Sequence, residues 1–152
     1  MLAWALGLAE PPPWDQILAW DEFAEEFFEF PDPDAWGQHL RLRSIEQIEE
    51  VAKAYEARYW RIRHSMDDNP EYVFKLLGRA AQLGHVELAS DGDLLTTGGE
   101  SLGAVNLDRF DKISSVVLER LKGLNWLCGQ EQDWDSIQED TIVGWLWDEH
   151  WE

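Results

Sequence analysis

A single cysteine, Cys128, stands among the 152 residues, so neither an internal disulfide nor a zinc cage built from several cysteines can form. No run of 18 apolar residues is present, which excludes the usual membrane-spanning helix, and the opening residues Met1 to Gly7 lack the positive region of a secretion signal. Bases are scarce: 12 Lys plus Arg face 31 Asp plus Glu, giving a net charge of −19 and a pI near 4.3. Affinity for nucleic acid phosphates or an anionic membrane comes from Lys and Arg that displace counterions, so neither is expected as a main partner of so acidic a chain. These absences predict a cytoplasmic protein without a nucleic acid or membrane partner. The length fits one domain spanning 1–152, and a chain of this size buries roughly 68–70% of its unfolded surface, enough for a core without staples.

The charge that is present is unevenly placed. Residues 1–40 hold nine acids and no Lys or Arg, residues 123–152 hold eight acids and again no Lys or Arg, and all 12 bases fall within 41–122 against 14 acids. Nine of the ten tryptophans also lie in those two acidic ends, and only Trp60 lies between them. Disordered acidic tails are poor in large apolar groups, because such groups would be needed to offset the entropy of ordering. Acidic and aromatic together therefore predict folded ends flanking a charge-balanced middle.

Apolar spacing predicts a mainly helical domain with one small β-hairpin, an α+β chain. Pro11, Pro12 and Pro13 break any helix, since proline lacks the donor and clashes with the preceding turn. Over residues 14–30, Trp14, Ile17, Leu18, Phe23, Phe27 and Phe30 recur at mostly helical spacing. Ser44 and Gln47 form a capping box ahead of Ile45, Ile48, Val51, Tyr55, Tyr59, Ile62 and Met66, which step by three or four for about six turns. Residues 67–70 form a turn, residues 71–83 a shorter helix ending at Gly84, and residues 86–97 the hairpin, with Asp91-Gly92 at its turn. A last strong helix runs over 107–127, with Leu107, Phe110, Ile113, Val117, Leu121, Leu124 and Leu127 on one stripe and Gly129 as its terminator.

Those residues carry a resemblance. Glu119-Arg120, the block Leu124 to Gly129, Asp133-Trp134-Asp135 and Asp140-Thr141 resemble the C-terminal signature of the domain of unknown function family 4272. Trp4-Ala5-Leu6-Gly7 and the helix carrying Tyr59-Trp60 resemble its earlier blocks in the same order, so the likeness covers most of the chain. It implies that the family's N-terminal part is missing here, because that domain begins well before the Trp4 block. Leu121 stands where the family often has histidine. No activity is assigned to the family, so the resemblance implies a fold more than a function.

Site chemistry is sparse. The run from Asp133 and the run from Asp32 each lack a required ligand or glycine of a calcium loop, and Asp133 and Asp135 are better suited to capping a turn or helix. His39, His64, His85 and His150 show no metal-ligand spacing with one another or with Cys128. Cys128 follows an apolar stripe near a helix C-terminus, where the dipole disfavours a thiolate. No metal or cofactor is expected. What remains is a negative face with aromatic anchors: Trp20, Asp21, Glu22, Glu25, Glu26, Glu29, Asp133, Trp134, Asp135, Trp147, Asp148 and Glu149. Negative charge speeds association with a basic partner and buried aromatics prolong it. The plainer alternative is that these tryptophans are core and the acids only a solvated surface.

Three function classes follow. The first is a non-enzymatic acidic binding protein, a stoichiometric inhibitor or immunity protein that blocks the basic cleft of a toxin. The second is an enzyme using Glu119, Arg120, Asn125, Asp133 and Asp135. The third is a structural homo-oligomer component. Only the first makes use of the charge arrangement.

Overall fold

The structure is a computed structural model, and it describes residues 1–17, 40–64 and 70–129. Within them lie α1 (Leu2–Ala5), α2 (Ile45–Arg63), α3 (Pro70–Gln82), a 3-10 turn at Leu102–Ala104, and α4 (Leu107–Leu127). The chain is mainly helical, and no helix among the described residues is long and apolar enough to cross a membrane.

The long helices form where their stripes and caps place them. The Ser44 hydroxyl accepts from the Gln47 backbone N–H at 3.4 Å while the Ser44 N–H donates to Gln47 Oε1 at 3.1 Å, so the expected capping box opens α2. α4 is capped by Asn106, whose Oδ1 accepts from the Arg109 N–H at 3.0 Å, a cap that the apolar stripe alone does not reveal. α3 begins on Pro70, where the missing N–H costs no helical bond, and ends through Gly84 N–H to Ala81 and His85 N–H to Ala80, the paired bonds of a Schellman cap.

α2 packs on both α4 and α3. The buried face of α2 includes Ile48, Tyr55 and Tyr59 but also Ala52, Ala54 and Ala57, whose small side chains let a neighbouring backbone approach. Against it lie Ile113, Val117, Leu121 and Leu124 of α4 and Val73, Leu76, Leu77 and Ala80 of α3. Trp4 and Ala5 from α1, with Val86, Leu94 and Leu102 from the segment between α3 and α4, complete the same cluster. Each fully buried leucine stabilises by roughly 1.5–3 kcal/mol relative to exposure. Ile45 and Leu107, expected on the stripes, are instead 44% and 66% exposed. Both are first helical residues, and helical side chains lean toward the N-terminus, here away from the core.

Two further expectations change. Residues 14–17, the expected start of a helix, form a turn and an irregular stretch; the remainder of that helix lies outside the described residues. The expected hairpin is not formed as a ladder: residues 86–102 make only two isolated antiparallel bridges, Leu88 with Leu94 and Leu95 with Ser101. The reason lies in the N-terminal segment. The bonds flanking the Leu88–Leu94 bridge are made, Ala89 N–H to Asp93 O and Leu95 N–H to Glu87 O, but the next groups a ladder would use are taken: Leu95 O accepts from the Trp14 indole N–H and the Thr97 N–H donates to the Asp15 carboxylate.

Candidate functional site

The twelve residues expected at a partner-binding face, Trp20, Asp21, Glu22, Glu25, Glu26, Glu29, Asp133, Trp134, Asp135, Trp147, Asp148 and Glu149, all lie outside the described residues. The set expected for an enzyme is partly described, with Asp133 and Asp135 again outside. On α4, Glu119 is exposed, whereas Asn125 is 2% exposed and its Oδ1 has no hydrogen-bond partner. Arg120 is committed elsewhere. Its Nη1 donates to Pro13 O at 2.7 Å and to the Tyr55 hydroxyl at 2.9 Å, and its Nη2 donates to Gln16 O at 2.7 Å. Prolines have carbonyls but no N–H, so the Pro11–Pro13 stretch offers acceptors without making helix, and a charged donor suits them.

That clasp lays residues 12–17 across α2 and toward the segment that follows α3. Asp15, 7% exposed, accepts from the Thr97 N–H at 3.0 Å and from the Thr97 hydroxyl at 2.5 Å, while Arg109 approaches it at 3.5 Å. Arg109 also pairs with Glu100. The Trp14 indole N–H donates to Leu95 O at 3.3 Å. Trp14 is thereby held with its ring 5.1 Å from the Arg58 guanidinium, whose other neighbour is the Tyr55 ring at 5.0 Å. Tyr55 and Arg58 are three residues apart on α2 and so share a face.

Arg58 lines a cavity of about 270 Å³ together with Trp14, His85, Val86, Glu87 and Leu94 to Thr97. Its Nε is buried without a hydrogen-bond partner. Burial, reinforced by the nearby Arg120 charge, pushes its pKa down to about 10 despite the opposing influence of Tyr55 and Asp15. The acids around it are engaged or peripheral: Asp15 is bound to Thr97, and Glu87 is exposed. Sequence reading missed Arg58. The Tyr55/Arg58 spacing is a visible signal, but the Trp14 half of the sandwich depends on the Arg120 clasp.

The other strong polar feature is structural. Arg61 meets Asp93 through Nε–Oδ1 at 2.5 Å and Nη2–Oδ2 at 2.6 Å, with only 12% and 4% of the two side chains exposed. His85 lies 3.4 Å from Glu50, and His64 stacks on Trp60 at 5.0 Å. Among the described residues, no group of three or more His, Cys, Asp or Glu is arranged to hold a metal ion. Cys128 has its thiol pushed up to about 11, mainly by burial and then by the Glu49 carboxylate.

No protein-family model, curated protein or solved structure matches this chain.

Proposed function

We propose that this chain is a cytoplasmic, non-enzymatic acidic binding protein, a stoichiometric inhibitor of the immunity-protein kind that covers a basic cleft of a toxin. The observation that carries the reading is the separation of charge. All 12 bases lie between residues 41 and 122, and the two ends carry seventeen acids without one Lys or Arg. Some of those bases are already paired with acids within the fold, Arg61 with Asp93 and Arg109 with Glu100 and Asp15. Such pairs cancel, and the large excess of acids in the two ends then dominates the net charge of −19. The proposed contact face comprises the acidic and tryptophan residues named above, from Trp20 to Glu29 and from Asp133 to Glu149. Membership of the family 4272 is proposed with it, on the signature from Glu119 to Asp135.

The test is affinity capture from the native host, washed at low and at high salt, followed by the fourfold variant Glu22→Lys, Glu25→Lys, Glu26→Lys and Glu29→Lys. A stoichiometric basic protein, retained at low salt, loosened as salt rises and lost by the folded variant, is the expected result. Capture unaffected by reversing those four charges removes that face from the proposal.

A further inference from the structure

We propose that the cavity at Arg58 is a binding site for a small organic carboxylate, whose anionic head lies against the Arg58 guanidinium. The cavity is built by four separate parts of the chain: Trp14 from the clasped N-terminal segment, Arg58 from α2, and the stretches 84–87 and 94–97 after α3. Its volume of about 270 Å³ falls just under the usual range for small-molecule pockets, roughly 300–1,000 Å³, which limits the occupant to a few carbon atoms or one ring.

Charge selects an anion. The described arginines Arg61 and Arg109 meet carboxylates and Arg120 meets carbonyls, but Arg58 has its Nε buried without a hydrogen-bond partner. It is held between two aromatic faces, which fix its plane but give its N–H groups no acceptor. A guanidinium held this way keeps its charge at neutral pH, because even at a pKa of about 10 it is protonated there. Desolvating a cation without an anion is unfavourable, so an anion entering the cavity relieves a cost already present in the fold. The Arg120 charge disfavours the Arg58 charge and the Asp15 carboxylate favours it, so the two nearby groups act in opposite directions.

The rest of the lining argues for a small monoanion. Thr97 is already bound to Asp15, and the Thr96 hydroxyl donates to Glu100 O at 3.0 Å, so neither is free to build the dense donor cradle a phosphate dianion wants. Val86 and Leu94 are buried in the core and Leu95 is partly buried, so the aliphatic surface open to an occupant is small. Glu87 on the exposed rim disfavours a second negative charge.

The experiment is a titration of the full chain, followed by backbone amide NMR at constant ionic strength, with butyrate, benzoate, inorganic phosphate and chloride as probes. Saturable shifts are expected for butyrate or benzoate at residues 85–87 and 94–97, and not for chloride. Arg58→Lys keeps the charge but loses the planar fork, and is expected to weaken binding about tenfold or more. Glu87→Lys, an exposed position that leaves the fold undisturbed, is expected to tighten carboxylate binding several-fold. Any of four results overturns the site as proposed: no saturable shift with either carboxylate, equal shifts with chloride, saturation by phosphate alone, or carboxylate affinity unmoved by Glu87→Lys.

Discussion

Arg61 and Asp93 face each other edge to edge, two parallel N–H···O bonds of 2.5 and 2.6 Å, and the same carboxylate also accepts from the Leu94 and Gly103 backbone N–H groups. One buried acid therefore joins α2 to both limbs of the segment between α3 and α4. Asp93→Ala leaves a guanidinium without its anion, and the buried Leu94 N–H and the part-buried Gly103 N–H without their acceptor. The expected loss is about 3–5 kcal/mol, read as a fall in the urea midpoint. Asp93→Asn, which keeps an acceptor but not the charge, is expected to lose less. Equal stability of wild type and Asp93→Ala would show that the pair contributes nothing.

Arg120 is assigned here to holding residues 12–17 rather than to chemistry. Arg120→Ala removes bonds to Pro13, Gln16 and Tyr55 together, and a loss of about 2–3 kcal/mol is expected. The N-terminal segment is expected to become the first site of cleavage in limited proteolysis. If cleavage there is no faster than in wild type, the clasp is not what holds it. Trp14 would then keep its place over Arg58 through its own bond to Leu95 and the bonds of Asp15 to Thr97.

Gly7 has a left-handed φ of +72°, and a Cβ placed on it would stand 2.9 Å from the Arg41 carbonyl oxygen. The approach matters because the Arg41 N–H donates to Leu6 O and the Arg43 N–H to Ala5 O, pinning residues 41–43 beside α1. Gly7→Ala is expected to destabilise by about 1–3 kcal/mol, combining backbone strain with the clash, and to lower the melting temperature accordingly. Gly78 has nothing within 4 Å of such a Cβ and lies inside α3, so Gly78→Ala is expected to raise stability by about 0.5–1 kcal/mol. Opposite signs for the two variants check the reading in one thermal scan.

Cys128 is expected to be sluggish. With its thiol pushed up to about 11, the thiolate is a minute fraction of the total at pH 8. Alkylation by iodoacetamide is expected to run roughly two orders of magnitude slower than for a free cysteine, and to rise about tenfold per pH unit up to pH 10. A rate that levels off below pH 9 would place the thiol in the ordinary range and show it to be solvated.

Much of the helical framework was legible before the structure, and the reason is local. The stripe of α2 and its Ser44/Gln47 box, and the stripe of α4 ending before Gly129, depend on residues three and four apart, which meet as soon as a helix forms. The segment at 86–97 was harder. Its alternation and its Asp-Gly turn read as a hairpin, yet Trp14 and Asp15, far away in the chain, take the Leu95 carbonyl and the Thr97 N–H, and the segment makes only two isolated bridges. Glu56 was not anticipated inside the core either, where it is 0% exposed on the α2 face.

By itself the sequence determined the helical stripes of α2, α3 and α4, the Ser44/Gln47 cap and the gathering of acids and tryptophans into two ends free of bases. Tertiary structure decided which charges meet. Asp15 finds Thr97 82 positions away, and Arg120 finds Pro13 107 positions away. No pattern of period 3.6 or 2 encodes such a pairing, because it arises only when separate elements bury their apolar faces against one another and must find partners for the polar groups carried in with them. Arg58 went in with its neighbours α2 and Trp14, flanked by rings instead of an anion.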